Sequence, residues 1–196
     1  EMLDSGQIYT DLVEELRIAR LLKREDSYRI HVTLELPTSQ GFGMSAAGLV
    51  AVARAFRTLT NKGTDEQYLR LAHRIERMHG SGLGDVLGIS ARGVELRLEP
   101  GSPGAGGKVL SFTTHQPLLL VWRPEESRHT STYIDDESWQ RSISNAGERS
   151  VSRLRRKEWT FERWPDLMLE SRNFAEASGL LNEEVRKELL SQVQKE

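Results

Sequence analysis

The feature that most constrains the fold is a change of hydrophobic period between residues 28 and 60. Residues 28–36 alternate apolar and polar side chains, as expected for a half-buried strand. Pro37 ends this pattern, because proline cannot donate a hydrogen bond to a sheet ladder. A glycine-containing loop then opens a helix over about 45–60 that is rich in alanine. The sequence therefore predicts a strand, a loop and a helix that packs closely on several sides.

The rest of the chain alternates helical and strand-like patterns. Residues 7–23 repeat apolar side chains at helical spacing, and Thr64 with Gln67 predicts a capping box for a helix over about 65–78. A second glycine loop spans 80–85. We expect strands near 86–91, 93–99, 108–113 and 117–122. From about residue 136 we expect helices, with boundaries at Asp135 or Asp136, Leu154, Thr160, Gly179 and Asn182.

Composition excludes several classes of protein. Of 196 residues, 37% are hydrophobic and 29% charged, which indicates a folded, soluble chain. No apolar run reaches the roughly 20 residues that a membrane-spanning helix needs. The chain has no cysteine, so disulfides and thiolate chemistry are excluded. The net charge of −2 gives no general attraction to nucleic acid. We expect a cytoplasmic protein with neither a membrane nor a nucleic-acid partner.

The first candidate site is the loop between residue 36 and the alanine-rich helix. Gly41 and Gly43 let a backbone approach phosphate closely, and the first amides of a helix attract anions. Ser45 adds a hydroxyl for a phosphate oxygen or for Mg²⁺. The simpler alternative is a tight turn in which Ser45 only caps the helix. An isolated pattern of this kind is weak evidence for a phosphate site.

The second candidate site joins Glu76 and Asp85, which flank a run of glycines. Phosphoryl transfer needs Mg²⁺, donors for the transferred group and a residue that orients or deprotonates the attacking hydroxyl. Asp85 suits the last role, and Glu76 with Ser45 suits the metal. The alternatives are a solvated Glu76, paired with Arg77 or His73, and an Asp85 that only ends a turn.

Together the two strings resemble the GHMP kinase superfamily. Residues 37–47 resemble its second signature motif, and residues 76–85 look like its metal-ligand and catalytic-aspartate segment. Neither a Walker A loop nor a dinucleotide-binding fingerprint fits the first string. The strings 36–48 and 80–86, with parts of the tail at 145–148 and 173–180, look closest to the archaeal pantoate kinase family.

That resemblance implies ATP-dependent phosphorylation of the 4-hydroxyl of (R)-pantoate in coenzyme A biosynthesis. It implies catalytic Asp85, Glu76 and Ser45, with Ser45 and Glu76 near Mg²⁺. His73, Arg97 and Thr130 are implied near pantoate, with Thr132 an equal candidate to Thr130. The nucleotide site is implied to include Gly41, Phe42, Gly43, Met44, Ser45, Ala46 and Ala47. Residue patterns alone support Arg97 equally as a solvent-facing strand residue, and His73 more readily as a helix-face histidine. A homodimer is implied only by the family.

The resemblance also implies an α+β fold in two parts. We expect a ribosomal protein S5 domain 2-like ATP-binding part over 1–115 and a partial ferredoxin-like part over 116–196. The family's first motif and its final glycine-rich motif have no counterpart in the sequence, so we expect the fold to be incomplete at both ends. Two other functions remain open: a GHMP kinase for another small alcohol, such as mevalonate, and a non-catalytic GHMP-fold binding protein. A cluster of basic side chains at 153–157 has acidic neighbours and no aromatic pattern, which argues against RNA binding.

Overall fold

A computed structural model describes residues 6–123 and 136–194. Within them the fold is α+β, as predicted: helices surround one small antiparallel sheet. In chain order the elements are α1 Gln7–Ile18, α2 Met44–Thr60, α3 Asp65–Met78, α4 Asp85–Ala91, β1 Val94–Glu99, β2 Lys108–Phe112, α5 Glu137–Leu154, α6 Trp164–Ser178 and α7 Glu183–Val193. A 3₁₀ turn, Phe161–Arg163, precedes α6. In the described part of the chain, no helix is both long and apolar enough to cross a membrane.

The larger apolar core lies between the first four helices. Helix α2 carries small and medium side chains on its buried face, so α1, α3 and α4 all approach it closely. Gly48 shows how close this packing is, because a Cβ atom there would overlap the hydroxyl of Tyr9 on α1. The fully buried side chains of this core include Leu12, Leu16, Leu49, Ala53, Tyr68, Ala72, Ile75 and Val86.

A smaller core joins the sheet to the C-terminal helices. Strands β1 and β2 pair antiparallel with Leu96 opposite Leu110, and Leu96 points into this core. It packs with Leu154 of α5 and with Trp159, whose indole N–H donates to the carbonyl oxygen of Val94 at 3.0 Å. Side chains alternate across a strand, so Glu95 and Arg97 share the opposite face of β1.

Local capping signals place most helix ends where the sequence predicts them. The Thr64 side chain accepts from the amide of Gln67, whose own side chain accepts from the Thr64 amide, which confirms the capping box. The side chains of Asp136 and Asn182 cap α5 and α7, each by accepting from the amides of the second and third residues of its helix. Gly179 ends α6 with φ +76°, a left-handed conformation that glycine adopts without strain. Thr160 precedes the 3₁₀ turn and makes no side-chain cap.

Three strand predictions and one helix boundary are wrong. Residues 86–91 lie in α4, and α1 ends at Ile18 rather than near residue 23. Residues 28–36 and 117–122 do not form strands, because no segment of the described chain pairs with them. The alternation at 28–36 is nevertheless real: its apolar side chains are half-buried and its polar ones exposed.

Candidate functional site

A cleft of about 370 Å³ lies where α2, α4 and β1 meet. The loop before α2 forms one wall, α4 forms the floor, and the polar face of β1 forms the other wall. Its lining consists of Gly41, Phe42, Gly43, Asp85, Gly88, Ile89, Arg92, Gly93, Glu95 and Arg97. The cleft therefore brings residues of both predicted sites together.

The first wall is the predicted phosphate loop. Gly41 and Gly43 have φ values of +80° and +66°, a backbone conformation that favours glycine. Gly43 occupies the N-cap position of α2 and supplies no side-chain cap. The first amides of an α-helix have no acceptor within the helix, so those of α2 remain available to an anion. This geometry suits the phosphate-binding role predicted for the loop.

The remaining residues of the predicted nucleotide site follow directly in α2. Met44 is the first residue of the helix, and Ser45 and Ala47 are half-buried in its first turn, while Ala46 is buried in the core. None of these four side chains lines the cleft. Their candidacy thus rests on their backbone amides and, for Ser45, on its hydroxyl.

Asp85 and Arg97, which lie twelve residues apart in the sequence, meet in the cleft. Asp85 is the first residue of α4, and its Oδ1 atom accepts from Nη1 of Arg97 at 3.0 Å. Nε of Arg97 lies 3.1 Å from Oε1 of Glu95. Arg97 therefore pairs with two carboxylates, and its side chain is also 39% exposed, as the solvent-facing alternative expects. A guanidinium has five N–H donors, so donors remain for a ligand.

Five residues of the cleft lining were missed from the sequence, namely Gly88, Ile89, Arg92, Gly93 and Glu95, of which Glu95 pairs with Arg97. A polar position in the strand predicted over 93–99 indicates only a solvent-facing side chain, yet Glu95 lies in the cleft beside Arg97. Burial raises the pKa of the Glu95 carboxyl, the charge of Arg97 opposes that shift, and Asp85 adds to it. Gly88 makes room for it, because a Cβ atom there would lie 2.7 Å from Oε1 of Glu95. The period of two places Glu95 on the same face as Arg97, and this signal could have identified it.

Glu76 lies behind the cleft and is 0% exposed, so the solvated alternative is wrong. Its Oε1 atom accepts from the amides of Asp85 at 2.7 Å and Val86 at 3.2 Å. Its Oε2 atom lies 3.0 Å from Nδ1 of His73, one of the two partners that the alternative named. Burial raises the pKa of Glu76, the His73 hydrogen bond opposes that shift, and the charge of Asp85 adds to it.

Of the predicted substrate contacts that the structure describes, His73 does not line the cleft. His73 is half-buried and turned to Glu76. Thr130 and the alternative Thr132 lie outside the described residues. Their proposed contact with substrate stays a prediction.

The described side chains do not form a ready magnesium site. Nowhere between residues 6–123 or 136–194 do three histidine or carboxylate side chains converge as ligands. Glu76 offers no exposed oxygen, and both of its oxygens already have protein partners. Mg²⁺ is often held by one or two protein oxygens together with substrate phosphates, a situation that Ser45 suits better than Glu76.

A second groove, of about 430 Å³, lies between α7 and the extended segment before residue 123. Its lining is mostly apolar and includes Leu119, Val121, Leu181, Val185, Leu189 and Val193. It contains no carboxylate and no glycine loop among its lining residues, so it lacks the groups that phosphoryl transfer requires.

Comparison with known proteins agrees with the family resemblance. Residues 11–93 match the GHMP kinases N terminal domain. Pantoate kinase from Thermococcus kodakarensis is 35% identical over 75% of this chain and 46% of its own length. Pantoate kinase from Methanocaldococcus jannaschii is 29% identical over 82% of this chain and 56% of its own length.

A third relative, pantoate kinase from Methanospirillum hungatei JF-1, is 28% identical over 95% of this chain and 57% of its own length. The chain thus spans about half the length of the curated relatives it matches. No solved structure matches it. Residues 11–93, which include the glycine loop before α2, thus carry a GHMP kinase N-terminal domain.

Proposed function

We propose that the protein transfers the γ-phosphoryl group of ATP to the 4-hydroxyl of (R)-pantoate, forming 4-phosphopantoate in coenzyme A biosynthesis. The observation that carries this proposal is the ion pair between Asp85 and Arg97 in the cleft that the Gly41–Gly43 loop closes. The cleft thus combines the backbone of the glycine loop, which can bind an anion, with a carboxylate and a guanidinium. The pantoate kinase relatives support the choice of acceptor.

Each group has a physical reason for its proposed role. The amides at the start of α2 bind the phosphates of ATP. Asp85 accepts the proton of the attacking hydroxyl, and its hydrogen bond to Arg97 holds the carboxylate in the cleft. Arg97 binds the carboxylate of pantoate through the donors that Asp85 and Glu95 leave over.

The remaining predicted roles belong to the same proposal. Ser45 contributes its hydroxyl to the phosphates or to the Mg²⁺ that accompanies them, and His73 and Thr130 approach pantoate. The domain boundary near residue 115 and a homodimer are included on the strength of the family resemblance. A cytoplasmic location without a nucleic-acid or membrane partner is included on the strength of composition and charge. Magnesium, when bound with ATP, would neutralise phosphate charge.

A substrate panel tests the proposal. ADP formation is measured for the full-length protein with ATP, Mg²⁺ and, in turn, pantoate, mevalonate, homoserine and galactose. We expect turnover with pantoate and none above background with the other three. Turnover with another alcohol would keep the reaction and change the acceptor. No turnover with any of the four would favour the non-catalytic binding protein.

A further inference from the structure

The Glu76 carboxylate is the most deeply buried charged group of the described chain. Charged side chains are almost never fully buried unless partners compensate for the loss of water. Glu76 lies near the end of α3, beside the start of α4. The one acidic side chain of α4 is Asp85, which lines the cleft instead. The three groups that form hydrogen bonds with the Glu76 carboxylate therefore indicate its role.

Two of those three groups are the first amides of α4. Asp85 and Val86 are the first residues of that helix, so their N–H groups have no acceptor within it. The preceding residue, Gly84, occupies the N-cap position and has no side chain with which to cap. Oε1 of Glu76 accepts from both amides, at 2.7 and 3.2 Å. Glu76 thus caps α4 from the neighbouring helix α3.

The third group fixes the carboxylate itself. Nδ1 of His73, one turn earlier on α3, lies 3.0 Å from Oε2. The loop between α3 and α4 packs directly against the Glu76 carboxylate. A Cβ atom on Gly82 of this loop would overlap Oε1 of Glu76 and would lie 3.0 Å from Oδ2 of Asp85. Both oxygens and the space above them are therefore occupied by protein.

We propose that Glu76 is a positioning residue, which caps α4 and thereby fixes the backbone from which Asp85 reaches Arg97 and the cleft. The catalytic part of this inference rests on the proposed function of Asp85. The capping part does not, because it concerns hydrogen bonds of the ligand-free protein. A metal ion that took an oxygen of Glu76 would have to displace an amide or His73, so this role differs from the predicted metal-ligand role.

Two substitutions separate capping from metal binding. The side chain of Glu76→Gln keeps a carbonyl oxygen that accepts from the two amides, but an uncharged amide is a poorer magnesium ligand. Glu76→Ala removes both functions. Arg77→Ala, an exposed neighbour on α3, is the matched control.

The first measurement is amide hydrogen exchange of Asp85 and Val86 by NMR, in full-length protein without nucleotide or metal. We expect both amides to exchange at least tenfold faster in Glu76→Ala than in wild type. Exchange in Glu76→Gln and Arg77→Ala should stay within about threefold of wild type. Unchanged protection in a folded Glu76→Ala protein would overturn the cap, whatever the protein phosphorylates.

The second measurement is turnover as a function of Mg²⁺ concentration with saturating ATP. We expect kcat to fall at least tenfold further in Glu76→Ala than in Glu76→Gln, while the half-saturating Mg²⁺ concentration of Glu76→Gln stays within twofold of wild type. A tenfold rise of that concentration in Glu76→Gln, with its amides still protected, would contradict the positioning role and favour metal ligation.

Gly82→Ala offers a variant that leaves Glu76 in place. The added methyl group presses on the Glu76 carboxylate, so it should speed exchange of the Asp85 and Val86 amides. In the Glu76→Ala background the methyl group no longer meets Glu76 and keeps only its approach to Oδ2 of Asp85 at 3.0 Å, so we expect it to add less than a twofold change. Equal effects in the two backgrounds would overturn the contact between the loop and Glu76.

Discussion

Arg97 shows most directly how single residues define the site. It was open on sequence grounds whether this side chain faced solvent or substrate, and the structure places it in the cleft between Asp85 and Glu95. Asp85 and Glu95 both pair with Arg97, while Arg92 supplies the second positive charge of the cleft lining. A carboxylate ligand would therefore compete with the protein's own acidic side chains for Arg97.

Substitution of Arg97 tests its role in recognition. Arg97→Ala removes a charge-assisted, two-pronged donor for a carboxylate but no part of the phosphate loop. We expect the KM for pantoate to rise tenfold or more and the KM for ATP to change less than threefold. Arg97→Lys should recover only part of the loss, because a lysine offers no planar fork. Steady-state kinetics would contradict this role if both KM values rose equally.

Glu95 gives a prediction on pH and stability. Burial raises the pKa of the Glu95 carboxyl above the usual value of 4.5. At a pH between 4.5 and the raised pKa, the folded state therefore holds more protons than the unfolded state. The stability of wild type relative to Glu95→Gln should therefore decrease as the pH rises from 4.5 through the raised pKa. Urea unfolding across this range measures the difference, and an increase with pH would contradict it.

At the scale of elements, the sequence predicts a helix or strand correctly where the interactions that stabilise it are local. The caps of α3, α5 and α7 lie within three residues of the amides they bind, so sequence patterns predict them. Helix α4 is different. Its Val-Leu-Gly-Ile run favours a strand locally, but its amides are capped by Glu76, nine residues earlier on another helix.

The same distinction explains the missing strands. The pattern of residues 28–36 predicts which side chains are buried, and that part is confirmed. A strand also needs a hydrogen-bonded neighbour, which the alternation of one segment does not specify. The closeness of Asp85 and Arg97 was likewise not visible in either motif, since it arises from the packing of α4 against β1.

The capping box of α3 can be tested by one substitution. Thr64→Ala removes the acceptor for the Gln67 amide, and we expect it to lower the free energy of unfolding by about 1 kcal/mol. The control is Thr58→Ala on the exposed face of α2, which should change stability by less than about 0.5 kcal/mol. Chemical denaturation measures both, and equal effects would argue that the cap contributes little.

At the scale of the whole molecule, the cleft lies where two apolar cores meet. Helix α4 belongs to the larger core through Val86, and β1 belongs to the smaller one through Leu96. Asp85 and Arg97 thus lie on elements that belong to different cores. The distance between the two side chains depends on how these cores pack against each other. Trp159 anchors the smaller core to β1 through its hydrogen bond to Val94.

Trp159→Phe tests that anchor. The ring remains largely apolar, but the Val94 carbonyl loses its indole donor, so we expect a loss of about 1–3 kcal/mol of unfolding free energy. Trp164→Phe, the same change at a half-buried tryptophan that stacks on Phe161, should cost less than half as much. Thermal or urea unfolding gives the comparison, and a larger loss for Trp164→Phe would contradict the anchor.

The proposed activity depends on Asp85 acting on the hydroxyl that is phosphorylated. Asp85→Asn keeps the size of the side chain and an acceptor for Arg97 but removes its ability to take a proton. The decisive measurement is pantoate-dependent ADP formation by this variant, with ATP binding followed by calorimetry. We predict a loss of turnover of about 100-fold or more, with ATP affinity within a few-fold of wild type. Turnover within a few-fold of wild type would contradict the account.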